Sequence, residues 1–135
     1  MGQWQEHSGG SKYHAWIRNA AGQFTTIDAP LAQNTYAYDV NDDGWIVGLM
    51  QDVSGGHGFV RDATGSFTIL DVPDASYTSA SSINDAGQIT GFYLGNDGRN
   101  HGFVATAAPE PATMLLLGAG IAGIAGAKLK RKKLQ

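Results

Sequence analysis

Short runs of alternating apolar and polar residues, separated by turn-forming clusters, occupy most of this chain. In Phe67-Thr-Ile-Leu70 one face takes Phe67 and Ile69 and the other takes Thr68 and Leu70, the period-two pattern of a half-buried strand. Similar runs fall at His14–Arg18, Gln23–Asp28, Tyr36–Val40, Trp45–Gln51, His57–Arg61, Ser66–Asp71, Thr78–Ile83 and Gln88–Leu94. They are rich in aromatic and β-branched residues, which suit a pleated surface. Ala20-Ala-Gly22 and Ala63-Thr-Gly65 supply tight hairpin turns, and Asn41-Asp-Asp-Gly44 and Asn84-Asp-Ala-Gly87 supply a second kind, with glycine free to take positive φ. The pattern predicts a mainly β, antiparallel body.

The runs recur. His14-Ala-Trp-Ile-Arg18 returns as His57-Gly-Phe-Val-Arg61 and as His101-Gly-Phe-Val104, at spacings of 43 and 44. Between the first two copies more than a third of the positions are identical, including Pro30 with Pro73 and Ile46-Val-Gly48 with Ile89-Thr-Gly91. Met1-Gly-Gln-Trp-Gln-Glu6 corresponds to Val47-Gly-Leu-Met-Gln-Asp52, and Ser8-Gly-Gly10 to Ser54-Gly-Gly56. The expected β-repeat domain is 1–105, made of a partial repeat 1–13, full repeats 14–56 and 57–100, and a partial repeat 101–105. Four strands in about 43 residues is the size of one β-propeller blade, and closing a propeller takes about four to eight blades. The fold class expected is therefore mainly β, with four-stranded antiparallel repeats resembling an incomplete set of propeller blades. The units also resemble the HAF-type probable extracellular repeat, through His57-Gly-Phe59, Ile83-Asn84, Gly87 and Gly91; the first copy departs with Trp16 and Val40. That resemblance implies an extracellular setting and no assigned activity.

Beyond the repeats the pattern changes. Residues 106–111 form a linker holding Pro109-Glu110-Pro111, 112–128 form an apolar segment, and 129–135 form a basic tail. Ala112 to Ala127 carries no charge. Its sixteen residues would span roughly 24 Å as a helix against a hydrocarbon core of about 30 Å, so it is short for a span, with Lys128 and Lys130 placed to snorkel. Backbone groups in lipid must bond internally, which predicts one C-terminal transmembrane helix over 112–128. Glycines 118, 120, 123 and 126 either weaken that helix or let it pack closely on a membrane partner.

Charge sharpens the picture. Lys128, Lys130, Arg131, Lys132 and Lys133 are five of the nine basic residues, while all twelve acidic residues lie at or before Glu110. The basic cluster is expected on the cytoplasmic side as a topology anchor, with the body across the membrane. The tail resembles the PEP-CTERM sorting signal of exopolysaccharide-producing Gram-negative bacteria, with Pro109-Glu110-Pro111, the apolar run and the Lys/Arg end in the same order. The resemblance implies recognition of Pro109, Glu110 and Pro111 by an exosortase-type processing enzyme, and a body held at the inner membrane on the periplasmic side, then released to the cell surface or matrix. It leaves exopolysaccharide or further copies of the chain as partners of the body. The proline-flanked glutamate favours an extended backbone that a protease-like cleft can read. The first residues, Met1-Gly-Gln-Trp-Gln-Glu-His7, lack a signal-peptide pattern, and the chain opens within a repeat; both are expected of a piece of a longer exported protein.

Candidate chemistry is sparse. The absence of cysteine removes disulfides, thiolate ligands and thiol nucleophiles. His14, His57 and His101 hold equivalent positions, expected to bond neighbouring turns and not to converge on a metal; Arg18 and Arg61 are expected to pair with Asp28 and Asp71 or with turn carbonyls. Asn41-Asp-Asp-Gly44 and Gly95-Asn-Asp-Gly98 lack the acidic spacing of a calcium loop. No G-x-S-x-G elbow occurs, and an acidic body argues against nucleic acid. The expectation is a non-enzymatic structural or adhesive protein without cofactor. The second reading is a fragment of a propeller-type extracellular hydrolase, and the third is a gene remnant.

Overall fold

The computed structural model describes residues 1–6, 12–107 and 114–117. They are mainly β, with no helix among them. The strands are β1 (Gly2–Gln5), β2 (Tyr13–Arg18), β3 (Phe24–Ile27), β4 (Asn34–Val40), β5 (Ile46–Asp52), β6 (Gly55–Arg61), β7 (Phe67–Leu70), β8 (Tyr77–Ile83), β9 (Gln88–Leu94), β10 (Asn100–Ala107) and β11 (Met114–Leu117).

Most strands that follow one another in the chain pair antiparallel. β1, β2 and β3 form one sheet; β4 to β7 form a four-stranded meander, and so do β8 to β11. Between the two meanders the ladder is reduced to a single parallel pair, Gly56 with Tyr77. The sheets do not close into a ring. The unit that pairs as a sheet begins at Asn34 and at Tyr77, whereas the sequence repeat begins at His14 and His57, so the two periods are offset by two strands.

Packing occurs between the sheets. One buried cluster joins Ala15, Ile27, Ala29 and Ala32 of the first unit to Ile46, Met50 and Phe59 of the second. Another joins Val47, Val60 and Leu70 of the second to Ala80, Ile89, Tyr93 and Phe103 of the third. Adjacent residues of β5 and β6 thus point into different clusters: Ile46 against Val47, and Phe59 against Val60. The middle sheet is covered on both faces, which explains why Ile46–Met50 is buried without a break and does not alternate.

The turns follow the sequence. Asn19, Asn41, Asp62 and Asn84 each accept backbone N–H bonds two and four residues on through Oδ1. Gly22, Gly44, Gly65 and Gly87 close these turns at φ between 79° and 94°. Ala29-Pro-Leu-Ala32 and Val72-Pro-Asp-Ala75 are turns closed by Ala32 N–H to Ala29 O and Ala75 N–H to Val72 O. They place Leu31 and Asp74 at φ 62° and 64°, the arrangement of a type II turn with proline first. Buried Thr35 and Thr78 accept the Ala29 and Val72 N–H groups that follow the preceding strand.

At its start, the apolar segment departs from expectation. Met114–Leu117 falls within the predicted helix 112–128 but is a strand, paired with β10 as Val104↔Leu117, Ala105↔Leu116, Thr106↔Leu115 and Ala107↔Met114. Away from lipid, the outer edge of β10 offers this short apolar run the backbone partners that a helix would otherwise have to supply internally. The rest of 112–128 and the tail 129–135 lie outside the described residues. Among the described residues, no helix is long and apolar enough to cross a membrane.

Candidate functional site

Two features stand out: a histidine nook repeated in each sheet, and the segment around β11. The nook is built by register. Across the β1–β2, β5–β6 and β9–β10 ladders, His14 faces Trp4, His57 faces Met50 and His101 faces Tyr93. Trp4 stacks on His14 at 4.3 Å between ring centroids, and Tyr93 on His101 at 5.1 Å. An acid precedes each histidine: Glu6, Asp52 and Asp97. A second acid, just after β3 in the first unit and just after β7 in the second, reaches the other side of the ring in two of the nooks. His14 Nδ1 lies 2.6 Å from Asp28 Oδ1, and His57 Nδ1 lies 2.9 Å from both Asp71 carboxylate oxygens.

Asp28 and Asp71, one of the two kinds of partner expected for Arg18 and Arg61, therefore bond the histidines. The β6–β7 register, Gly58 opposite Leu70, carries Asp71 towards His57. The guanidiniums of Arg18 and Arg61 sit instead beside Gly22 and Gly65 of the hairpin turns. The third nook differs: a residue equivalent to Asp71 would stand at position 115, which is leucine, and His101 bonds Asp97 through Nε2 at 2.9 Å.

Around His57 the contacts resemble a serine–histidine–aspartate chain, with Ser54 Oγ 2.8 Å from Nε2 and Asp71 2.9 Å from Nδ1. The hydrogen bonds argue against nucleophilic chemistry. Ser54 Oγ donates to Asp52 Oδ1 at 2.7 Å, and His57 Nε2 is 3.2 Å from the same oxygen. All of these contacts are satisfied together only if both ring nitrogens carry protons, and a doubly protonated ring cannot act as the base of a triad. Burial pulls the His57 pKa down, but hydrogen bonding and charge from Asp71, and then from Asp52, outweigh it and leave the ring above its usual range. Hydrogen bonds from the Ser54 hydroxyl and backbone hold Asp52 below the usual carboxylate range. The nook is a hydrogen-bonded clasp from the β5–β6 turn to the end of β7. In the first unit His14 Nε2 is buried without a hydrogen bond among the described residues, and Glu6 Oε2 is 3.8 Å away; Ser8, the counterpart of Ser54, lies outside the described residues.

The acidic turns do not assemble a cation site. Asn41 Oδ1 is occupied by the N–H groups of Asp43 and Trp45. Asp85 Oδ1 accepts the Asp42 N–H at 2.8 Å, and Asp39 Oδ2 accepts the Ile83 N–H at 2.9 Å and the Ser82 hydroxyl at 3.0 Å. These contacts, one repeat apart, fix adjacent sheets side by side. A hydrogen bond and repulsion from Asp85 push the Asp42 carboxyl up. Among the described residues no group of three or more acidic or histidine side chains is placed to hold a metal.

Pro109, Glu110 and Pro111, and the basic residues Lys128, Lys130, Arg131, Lys132 and Lys133, lie outside the described residues. In chain order the tripeptide falls between β10 and β11. Comparison with known families matches residues 107–132 to the PEP-CTERM protein-sorting motif. The segment that follows the β body therefore carries a sorting signal of the kind recognised by an exosortase. No curated protein and no solved structure matches the chain.

Proposed function

We propose that this is an exported, non-enzymatic β-repeat protein with a structural or adhesive role, delivered and released through its C-terminal signal. The observation that carries the reading is the sorting motif over residues 107–132, placed directly after a body of packed sheets. In this reading the apolar run enters the inner membrane as a helix, and Lys128, Lys130, Arg131, Lys132 and Lys133 keep its end cytoplasmic. The body lies on the periplasmic side, an exosortase reads Pro109, Glu110 and Pro111, and the body goes on to the surface or an exopolysaccharide matrix. The resemblance of the repeats to HAF-type extracellular units supports the same destination. The clasped state of His57 supports a structural body over a hydrolase.

The test is to express the chain behind a secretion signal, with a tag before Ala105, in a host containing an exosortase. The wild type is expected to associate with membranes and then release a shortened body. Replacing Pro109, Glu110 and Pro111 together by alanine is expected to leave a full-length, membrane-retained form. Unchanged processing of that variant would remove the sorting role of the tripeptide.

A further inference from the structure

Part of the sorting motif pairs with the body itself, at the edge of β10. In the middle unit, the place beside β6 is filled by β7, Phe67–Leu70, and in the first unit the place beside β2 is filled by β3, Phe24–Ile27. In the last unit the same place beside β10 is filled by Met114–Leu117, which lies inside the sorting motif. The body thus takes its last strand from the signal. By the spacing that equates His57 with His101, the counterpart of Leu70 is Met114, which pairs with Ala107 and not with Gly102, so β11 takes the place of β7 in a register of its own.

We propose that β11 is an autoinhibitory strand: its pairing with β10 withholds the sorting signal, and its release is required for membrane entry and processing. The proposal rests on the sorting role given above. One constraint carries it. Met114–Leu117 cannot pair with β10 and lie in a membrane helix at once, because each backbone N–H and C=O bonds either across the sheet or along the helix. Withdrawal of β11 opens the β10 edge.

A disulfide lock tests the proposal, since the chain has no cysteine of its own. Thr106→Cys with Leu115→Cys places the pair on opposed residues, within the Cα separation a disulfide accepts. The full exported chain is followed in the exosortase-containing host, with each single variant as control. The expected result is spontaneous disulfide formation, an unprocessed chain absent from the membrane fraction, and recovery of processing on mild reduction and in both single variants. Processing of the oxidised pair at the wild-type rate would overturn the proposal. Failure of the pair to cross-link in single-cysteine-competent, folded protein would overturn the strand pairing itself. A wild type that is never processed would instead sink the sorting role, a separate outcome.

Discussion

His57 sits between Asp71 on one ring nitrogen and Asp52 with Ser54 on the other, so at the scale of the residue its charge is part of the fold. Its pKa is raised in the folded chain from an ordinary value of 6.5. A raised imidazole pKa contributes stability that is full below the unfolded value and is lost as pH rises through the folded one. Wild type is thus expected to exceed His57→Gln in denaturation midpoint by more at about pH 5.5 than at about pH 8.5. A gap independent of pH would show that the ring acts by packing alone. The three histidines were legible as a repeat, and bonding to neighbouring turns is what Asp52 and Asp97 provide. The identity of the second acid was not legible, because Asp28 and Asp71 come alongside only through strand register.

Elements show a similar division. Gly48 and Gly91 recur at one repeat spacing, and the reason lies across the sheet. Register shifts in β4 between Ala37 and Asp39, and in β8 between Ala80 and Ser82, mark bulges opposite these glycines. A Cβ at Gly91 would run into the Ser79 carbonyl oxygen and the Phe103 ring, and one at Gly48 into the Tyr36 carbonyl oxygen and the Phe59 ring. Backbone cannot yield as a flexible side chain can, so Gly91→Ala is expected to cost about 3 kcal/mol or more. Gly102→Ala, whose Cβ would meet, among the described residues, the Gly91 carbonyl oxygen at 3.8 Å, is the control and is expected to cost less than about 1 kcal/mol. Equal losses in the two, measured by urea denaturation, would contradict the bulge as the cause. Alternation located the strands, but it did not reveal that β5 is covered on both faces, which depends on a third sheet arriving.

At the scale of the whole molecule, the described residues form a three-stranded sheet and two four-stranded meanders joined by a single pair, held by two apolar layers, and the middle meander belongs to both. Phe59 is fully buried in one layer, and its neighbour Val60 lies in the other. Phe59→Ala is expected to cost about 3–5 kcal/mol, a large part of the 5–15 kcal/mol typical of a whole domain. Because β6 feeds both layers, the loss is expected as one transition at lower denaturant, seen alike by tryptophan fluorescence and by circular dichroism. Two separated transitions would mean the layers fold independently. At this scale the open edges matter too: the strand that covers β10 is drawn from the sorting segment, so folding of the body and use of the signal are linked.

By itself the sequence determined the strands, the turn chemistry, the repeat and the order of tripeptide, apolar run and basic tail. Each of these is a local property: side-chain alternation, the φ tolerance of glycine, or hydropathy along a segment. Tertiary structure alone decided which strands share a sheet, which carboxylate meets which histidine, and that Met114–Leu117 completes the last sheet. Those outcomes depend on which backbone edge is left unpaired once the neighbouring strands are in place. An apolar run such as Met114–Leu117 suits a lipid helix and an open sheet edge alike, and its periodicity does not distinguish them.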